Sequence, residues 1–286
     1  MDRKTFLQTT GAALLSIAGG KAEASPREST TEFCGVLTDT TRCIGCRACE
    51  RACAVAHGHA VPDIETDEAL ETERTPTDKQ WTVVNRYDTD AGAVYVKKQC
   101  LHCWQPACAA ACLTNAMEKT RKGPVVWNSD KCMGCRFCMV SCPFDIPKFE
   151  YDEWNPSIQK CNMCWERLER GEQPACVAAC PTDALMFGRK RELMEVARVR
   201  IYNHPDRYVH HIYGEHEVGG TGWLYLAAVP FEQIGFRTDL GTTPYPEYTR
   251  DFLYTVPVAL FGLPALLYGL NQLTERSSEP GDEATS

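Results

Sequence analysis

An excess of positive charge is missing from this 286-residue sequence. Thirty lysines and arginines stand against 38 aspartates and glutamates, for a net charge of −8. Bulk electrostatics therefore argues against a nucleic-acid partner. A phosphate-binding glycine loop, a dinucleotide fingerprint and a Ser/His/Asp set do not stand out either, and no substrate site suggests itself. The cysteines do not form an even, scattered framework: there are 17 of them. At this length a hydrophobic core is possible without disulfide staples.

Sixteen of those cysteines fall into four tight groups, with Cys34 left over. The groups are Cys43, Cys46, Cys49, Cys53; Cys100, Cys103, Cys108, Cys112; Cys132, Cys135, Cys138, Cys142; and Cys161, Cys164, Cys176, Cys180. The first and third have the C-x2-C-x2-C-x3-C spacing of bacterial ferredoxins, in which three thiolates wrap one cubane and the fourth reaches another. The second and fourth lengthen one internal gap and keep the final x3. Structural zinc, the competing reading, collects two C-x2-C pairs into one tetrahedral set. The close third cysteine, the small residues Gly45, Ala48 and Gly134, and the prolines Pro143 and Pro181 favour 4Fe–4S clusters, although Ala54 and Leu113 follow Cys53 and Cys112 instead.

Basic residues crowd these groups: Arg42, Arg47, Arg51, Lys97, Lys98, Lys131, Arg136, Lys148, Lys160 and Arg167. Cations there offset the negative charge of a thiolate-bound cluster and tune its potential; about half of them are expected to be ordinary solvated surface. Cys34 reads as a small buried residue. His102 either hydrogen-bonds toward a cluster or partner or lies on the surface, and His57 and His59 read as solvent-facing loop histidines.

The two ends differ from the middle. Arg3-Lys4-Thr-Phe-Leu, a weakly apolar stretch and Ala22-Glu-Ala24 read as an export signal, with Lys4 in place of the second arginine of a twin-arginine signal. That route moves folded cargo, as a cluster protein assembled in the cytoplasm requires. Near the other end, 252–273 lacks any charged residue. As a helix it would be about 33 Å long, enough for the bilayer core, and its prolines are tolerable there. A buried soluble helix is the alternative.

Internal repeats suggest a duplicated two-motif module. Cys43-Ile-Gly-Cys46-Arg-Ala-Cys49 matches Cys132-Met-Gly-Cys135-Arg-Phe-Cys138, and Gln105-Pro-Ala-Cys108 matches Gln173-Pro-Ala-Cys176. Short strands are expected at 36–37, 81–87, 93–98, 125–127, 148–151 and 223–229, with a hairpin turn over 88–92. A helix is expected over 189–202, with Leu193, Val196, Ala197 and Ile201 on one face. The acidic run 63–79 reads as a surface insertion. By repeat pattern alone, each half would pair its own motifs.

These motifs, over residues 35–188, resemble the four-cluster ferredoxin-like iron–sulfur subunits of the dimethyl sulfoxide reductase type. The anchor and the stretch Tyr213-Gly-Glu-His-Glu-Val-Gly-Gly-Thr with Val229-Pro230 look like the membrane-anchored electron-transfer subunit of periplasmic quinone-linked hydrogenases and menaquinone reductase complexes. The resemblance implies an α+β chain of two pseudo-symmetric ferredoxin-like modules. Its divisions would be a signal peptide (1–24), the cluster domain (25–188), an extension (189–250), one transmembrane helix (251–274) and a polar tail (275–286). It also implies four 4Fe–4S clusters, on Cys43, Cys46, Cys49 with Cys180; Cys161, Cys164, Cys176 with Cys53; Cys100, Cys103, Cys108 with Cys142; and Cys132, Cys135, Cys138 with Cys112. The implied role is a non-catalytic wire at the periplasmic face of the bacterial inner membrane. It would run between a hydrogenase, molybdoenzyme-like or multihaem cytochrome subunit and a quinone-interacting membrane subunit. A soluble periplasmic polyferredoxin is the alternative.

Overall fold

The computed structural model describes residues 32–277. The expected export signal at 1–24 and the chain from 278 onward lie outside the described residues.

Strand β1 (Cys34–Asp39) is the centre of a three-stranded sheet. It pairs antiparallel with Leu185–Arg189 and parallel with Trp223–Leu226. A strand flanked on both sides and covered on both faces must bury every side chain, and Val36 to Asp39 are all buried. Buried polar groups need partners. The Asp39 carboxylate accepts from Arg200 Nη1 and Tyr208 OH, each at 2.8 Å. Thr38 accepts from Trp223 Nε1 at 2.7 Å. The backbones of the parallel pair come so close that a Cβ on Gly35 would stand 2.5 Å from the Gly222 carbonyl oxygen.

Helix Lys190–Asn203 covers one face of this sheet and packs Leu193 and Ala197 against Leu37, Leu224 and Leu226. It stops just before Pro205, whose ring disfavours helical backbone at the residue before it. The other face receives Met163, Leu168, Cys176 and Val177 from the cysteine-bearing loops, together with Tyr213, Trp223, Tyr225 and Phe231. Each fully buried large apolar side chain there contributes about 1.5–3 kcal/mol. One sheet thus unites strands from both sides of residue 188.

The remaining strands form hairpins: Val83–Thr89 with Gly92–Lys98, Met117–Lys119 with Val125–Trp127, and Lys148–Phe149 with Ile158–Gln159. The first is tighter than its sequence suggests, because Thr89 already pairs with Gly92 across a two-residue turn. Short helices follow the cysteine loops at Ala48–His57, Ala107–Ala110, Phe137–Val140, Trp165–Glu169 and Ala175–Ala178. The chain is therefore a mixed helix and strand fold.

Two segments depart from expectation. The acidic run 63–79 is no free insertion, since Leu70 is buried and Arg74 is tied to Glu50 and Asn85. Polar side-chain bonds hold it rather than an apolar stripe, so periodicity could not reveal it. The C-terminal helix starts earlier than expected and runs from Tyr245 to Ser277 as one 33-residue element, about 50 Å long. Its stretch Tyr245–Gln272 is long and apolar enough to cross a membrane and exposes Phe252, Leu253, Phe261 and Leu267.

Candidate iron–sulfur centres

Each cysteine group opens with a C-x2-C turn, and the residue before the second cysteine is left-handed in all four. Gly45 has φ 74°, His102 50°, Gly134 70° and Met163 57°. Glycine adopts this backbone freely, whereas other residues give up about 1–2 kcal/mol. At Gly45 space decides as well, because a Cβ would meet the Tyr95 ring at 2.5 Å. His102 and Met163 are held in this conformation by burial, with exposures of 0% and 1%.

The turns bring the thiols together in fours drawn from distant parts of the chain. Cys43, Cys46, Cys49 and Cys180 line one cavity with Arg47 and Lys97. Cys112, Cys132, Cys135 and Cys138 line a second with Arg136. Cys53 lies within electrostatic reach of Cys161, Cys164 and Cys176. Cys103 stands in the same relation to Cys100, Cys108 and Cys142.

The donor chemistry fits a 4Fe–4S cubane. Burial pushes the Cys43 and Cys142 thiols up to about 11 and those of Cys108 and Cys161 to about 12. Such groups stay neutral near pH 7 unless a cationic partner takes the place of the protons, as iron ligation does. The more exposed Cys112 is different. Its residual burial pushes it up, but the Met117 and Ala116 amides and the Thr114 hydroxyl outweigh that and hold it below the ordinary thiol range. The two amides donate to Cys112 Sγ at 3.4 and 3.2 Å.

The cations divide between interior and surface. Arg47, Lys97 and Lys160 are buried, whereas Arg42, Arg51, Lys131 and Arg136 are exposed. Lys97 Nζ donates to Gln99 Oε1 at 2.8 Å and lies 4.6 Å above the Trp223 ring. Burial works against its charge, but Cys176, Cys49, Cys161 and Cys53 together more than offset this and raise its pKa.

Outside the ligand set, His57 and His59 sit differently from their sequence expectations, and for His102 the surface alternative is excluded. His57 is not solvent-facing: its ring stacks on Trp81 at 4.5 Å, and its Nε2 lies 3.4 Å from Cys164 Sγ. His59 packs on the same Trp81 at 4.7 Å. His102 is no surface residue, since its Nδ1 accepts from the Val125 amide at 2.9 Å and its buried Nε2 has no protein partner. Cys34 is half-buried, and its thiol donates to the Lys122 carbonyl at 3.0 Å. A sequence signal for His57 existed in its position four residues after Cys53, on the same helix face. Glu50, a carboxylate next to ligand candidate Cys49, was missed; its oddity was an anion placed where cations are wanted.

Known proteins resemble this chain. Residues 91–190 match the 4Fe-4S dicluster domain family. Over 98% of its length the chain is 45% identical to a protein of Nitratidesulfovibrio vulgaris, covering 78% of that protein. It is 33% identical to the hydrogenase-2 operon protein HybA of Escherichia coli O157:H7, over 98% of the chain and 96% of HybA. It is also 34% identical to the iron-sulfur subunit of the nitrate-inducible formate dehydrogenase of Escherichia coli K12, over 66% of each chain.

Proposed function

The chain belongs to the family of 4Fe–4S electron-transfer subunits of hydrogenase and related oxidoreductase complexes, and from that premise we propose that it is a four-cluster wire joining a periplasmic catalytic or cytochrome subunit to a quinone-reactive membrane subunit. Each of the four cysteine gatherings holds one 4Fe–4S cluster, and the chain itself makes and breaks no substrate bonds. When bound, the clusters supply one-electron carriers. The residues around them hold, insulate and tune.

One observation carries this reading: the gatherings form an unbroken series of neighbours. Cys49 neighbours Cys176, Cys161 neighbours Cys100, and Cys108 neighbours Cys138, so each gathering touches the next electrostatically. The two end gatherings contain the exposed cysteines Cys46 and Cys135. Apolar side chains surround both exits, Ile44 at one and Met133 and Phe137 at the other. Such surfaces suit protein docking.

The C-terminal helix supports one orientation of this series. It contacts Ala107–Ala110, which packs on Phe137–Val140 beside Cys135 and Cys138. Gln105 also donates to Glu247 near the root of that helix, at 3.4 Å. On this reading the Cys135 end faces the membrane subunit and the Cys46 end the periplasmic partner.

Isolation of the native complex from membranes, with iron and sulfide quantified and the partners identified by mass spectrometry, tests the proposal. About sixteen irons per copy of this chain, beyond those of its partners, are expected, together with a polytopic subunit. A brown protein recovered alone from the soluble fraction would favour the polyferredoxin, and a colourless zinc protein would end the proposal.

A further inference from the structure

We infer that His57 donates a hydrogen bond from Nε2 to the sulfur of Cys164 and raises the reduction potential of the cluster carried by Cys53, Cys161, Cys164 and Cys176. The inference rests on the reading that those four thiolates hold a cluster.

Helix Ala48–His57 places Cys53 and His57 four residues apart, one above the other on a single face. Cys164 arrives from a separate loop, 107 positions along the chain, yet its Sγ stands 3.4 Å from the imidazole. One helix therefore delivers both a ligand and a polar group to the same gathering. The helix that follows Cys135 is Phe137–Val140, only four residues long, so it has no position equivalent to His57.

The ring is held in place. It lies against Trp81, with centroids 4.5 Å apart and planes 39° from each other. Gly58, at φ 71°, ends the helix immediately after it, and the amides of Gly58 and His59 both return to the Ala54 carbonyl. The chain on either side of the imidazole is thereby fixed.

Chemistry sets the direction of the bond. A cysteine sulfur bound to iron carries no proton and can only accept, so the facing Nε2 must be the protonated nitrogen. A neutral imidazole suffices. Adding an electron increases the negative charge on the cluster sulfurs, so a fixed donor stabilises the reduced state more than the oxidised one. The midpoint potential rises accordingly. His57 acts through the ligand sulfur and is a positioning residue for electron transfer.

The test uses the full chain in its membrane complex, with potentiometric titration followed by electron paramagnetic resonance. His57→Phe keeps the aromatic packing on Trp81 and removes the donor. One midpoint should fall by about a tenfold change in the reduction equilibrium, 59 mV for one electron, while the other midpoints and the iron content stay unchanged. His57→Gln, which can still donate, should recover part of the shift. In wild-type complex labelled with 15N-histidine, pulsed resonance should detect histidine nitrogen coupled to one reduced cluster, and His57→Phe should abolish that coupling. Unmoved midpoints at full iron content would overturn the inference. Should His57→Phe lose iron, absence of 15N coupling in the wild type would overturn it equally. A wild-type chain holding about twelve irons instead of sixteen would instead remove the cluster assignment beneath it.

Discussion

Arg74 reaches the fully buried carboxylate of Glu50 at 2.6 Å, across 24 positions of sequence. The same carboxylate accepts from Arg47 Nη2 at 3.1 Å, from Gln80 Nε2 at 3.0 Å and from the Val84 amide. Segment 63–79 is thereby fastened to the helix that carries Cys49 and Cys53. Removing one partner of a buried pair strands the other, at a cost of about 3–5 kcal/mol. Glu50→Ala should therefore release iron to a chelator much faster than wild type. Arg74→Ala, whose side chain keeps some solvent contact, should do so less. Following the loss of visible absorbance under a chelator at fixed temperature would rank the three proteins.

Lys97 invites a different substitution. Its buried ammonium lies within reach of sulfurs in two neighbouring gatherings. Replacing it with methionine removes a cation and keeps most of the volume. Two midpoints, not one, should then move to lower potential, each by about 59 mV or more, a tenfold change in a one-electron equilibrium. Equal midpoints in wild type and Lys97→Met would show that the charge is fully compensated elsewhere.

A third expectation concerns the long terminal helix. Its apolar residues are exposed along its length, so the cluster core does not depend on them. A chain ending at Pro244 should keep its iron and colour but leave the membrane fraction. Sedimentation of lysate with immunodetection decides it. A truncated chain that stayed with the membranes would point to retention through a partner.

Acid stability offers a fourth test, at Glu73. Burial pushes its carboxyl up, but hydrogen bonds from Lys98 and Tyr87, each at 2.6 Å, outweigh that and hold it below the ordinary range. A depressed carboxylate adds stability above its unfolded value, near pH 4.5, and loses it as pH falls toward the folded value. Because Glu73 is partly exposed, the gain is at most about 0.5 kcal/mol. Glu73→Gln should lower the urea midpoint slightly at pH 6 and converge on wild type near pH 3. A difference that grew on acidification would contradict this sign.

The parts of the fold legible in the sequence are those dictated by local rules. Helix Lys190–Asn203 followed from Leu193 and Ala197 at helical spacing, and the first hairpin from alternation around Gly92. The cysteines announced their chemistry because cubane loops demand fixed spacings. Long-range pairing was harder. That Cys34–Asp39 lies between Leu185–Arg189 and Trp223–Leu226 has no local signature, since each strand is too short to specify neighbours. His57 and Glu50 were misjudged or missed for a related reason: burial by a distant segment, around Trp81 or Arg74, turns a surface-looking polar residue into a determinant of the site.

The position of the first strand has a consequence in time. Residues 34–39 leave the ribosome early, but their two neighbours end at Arg189 and Leu226. At bacterial translation speeds of about 5–20 residues per second, the strand waits roughly 10–40 s for its second neighbour. Cys43, Cys46 and Cys49 wait similarly for Cys180, which lines their cavity. During that interval the nascent chain presents unpaired strand edges and free thiols to the cytosol. Completion of that first site therefore has to follow synthesis of Cys180, nearly two-thirds of the way along the chain.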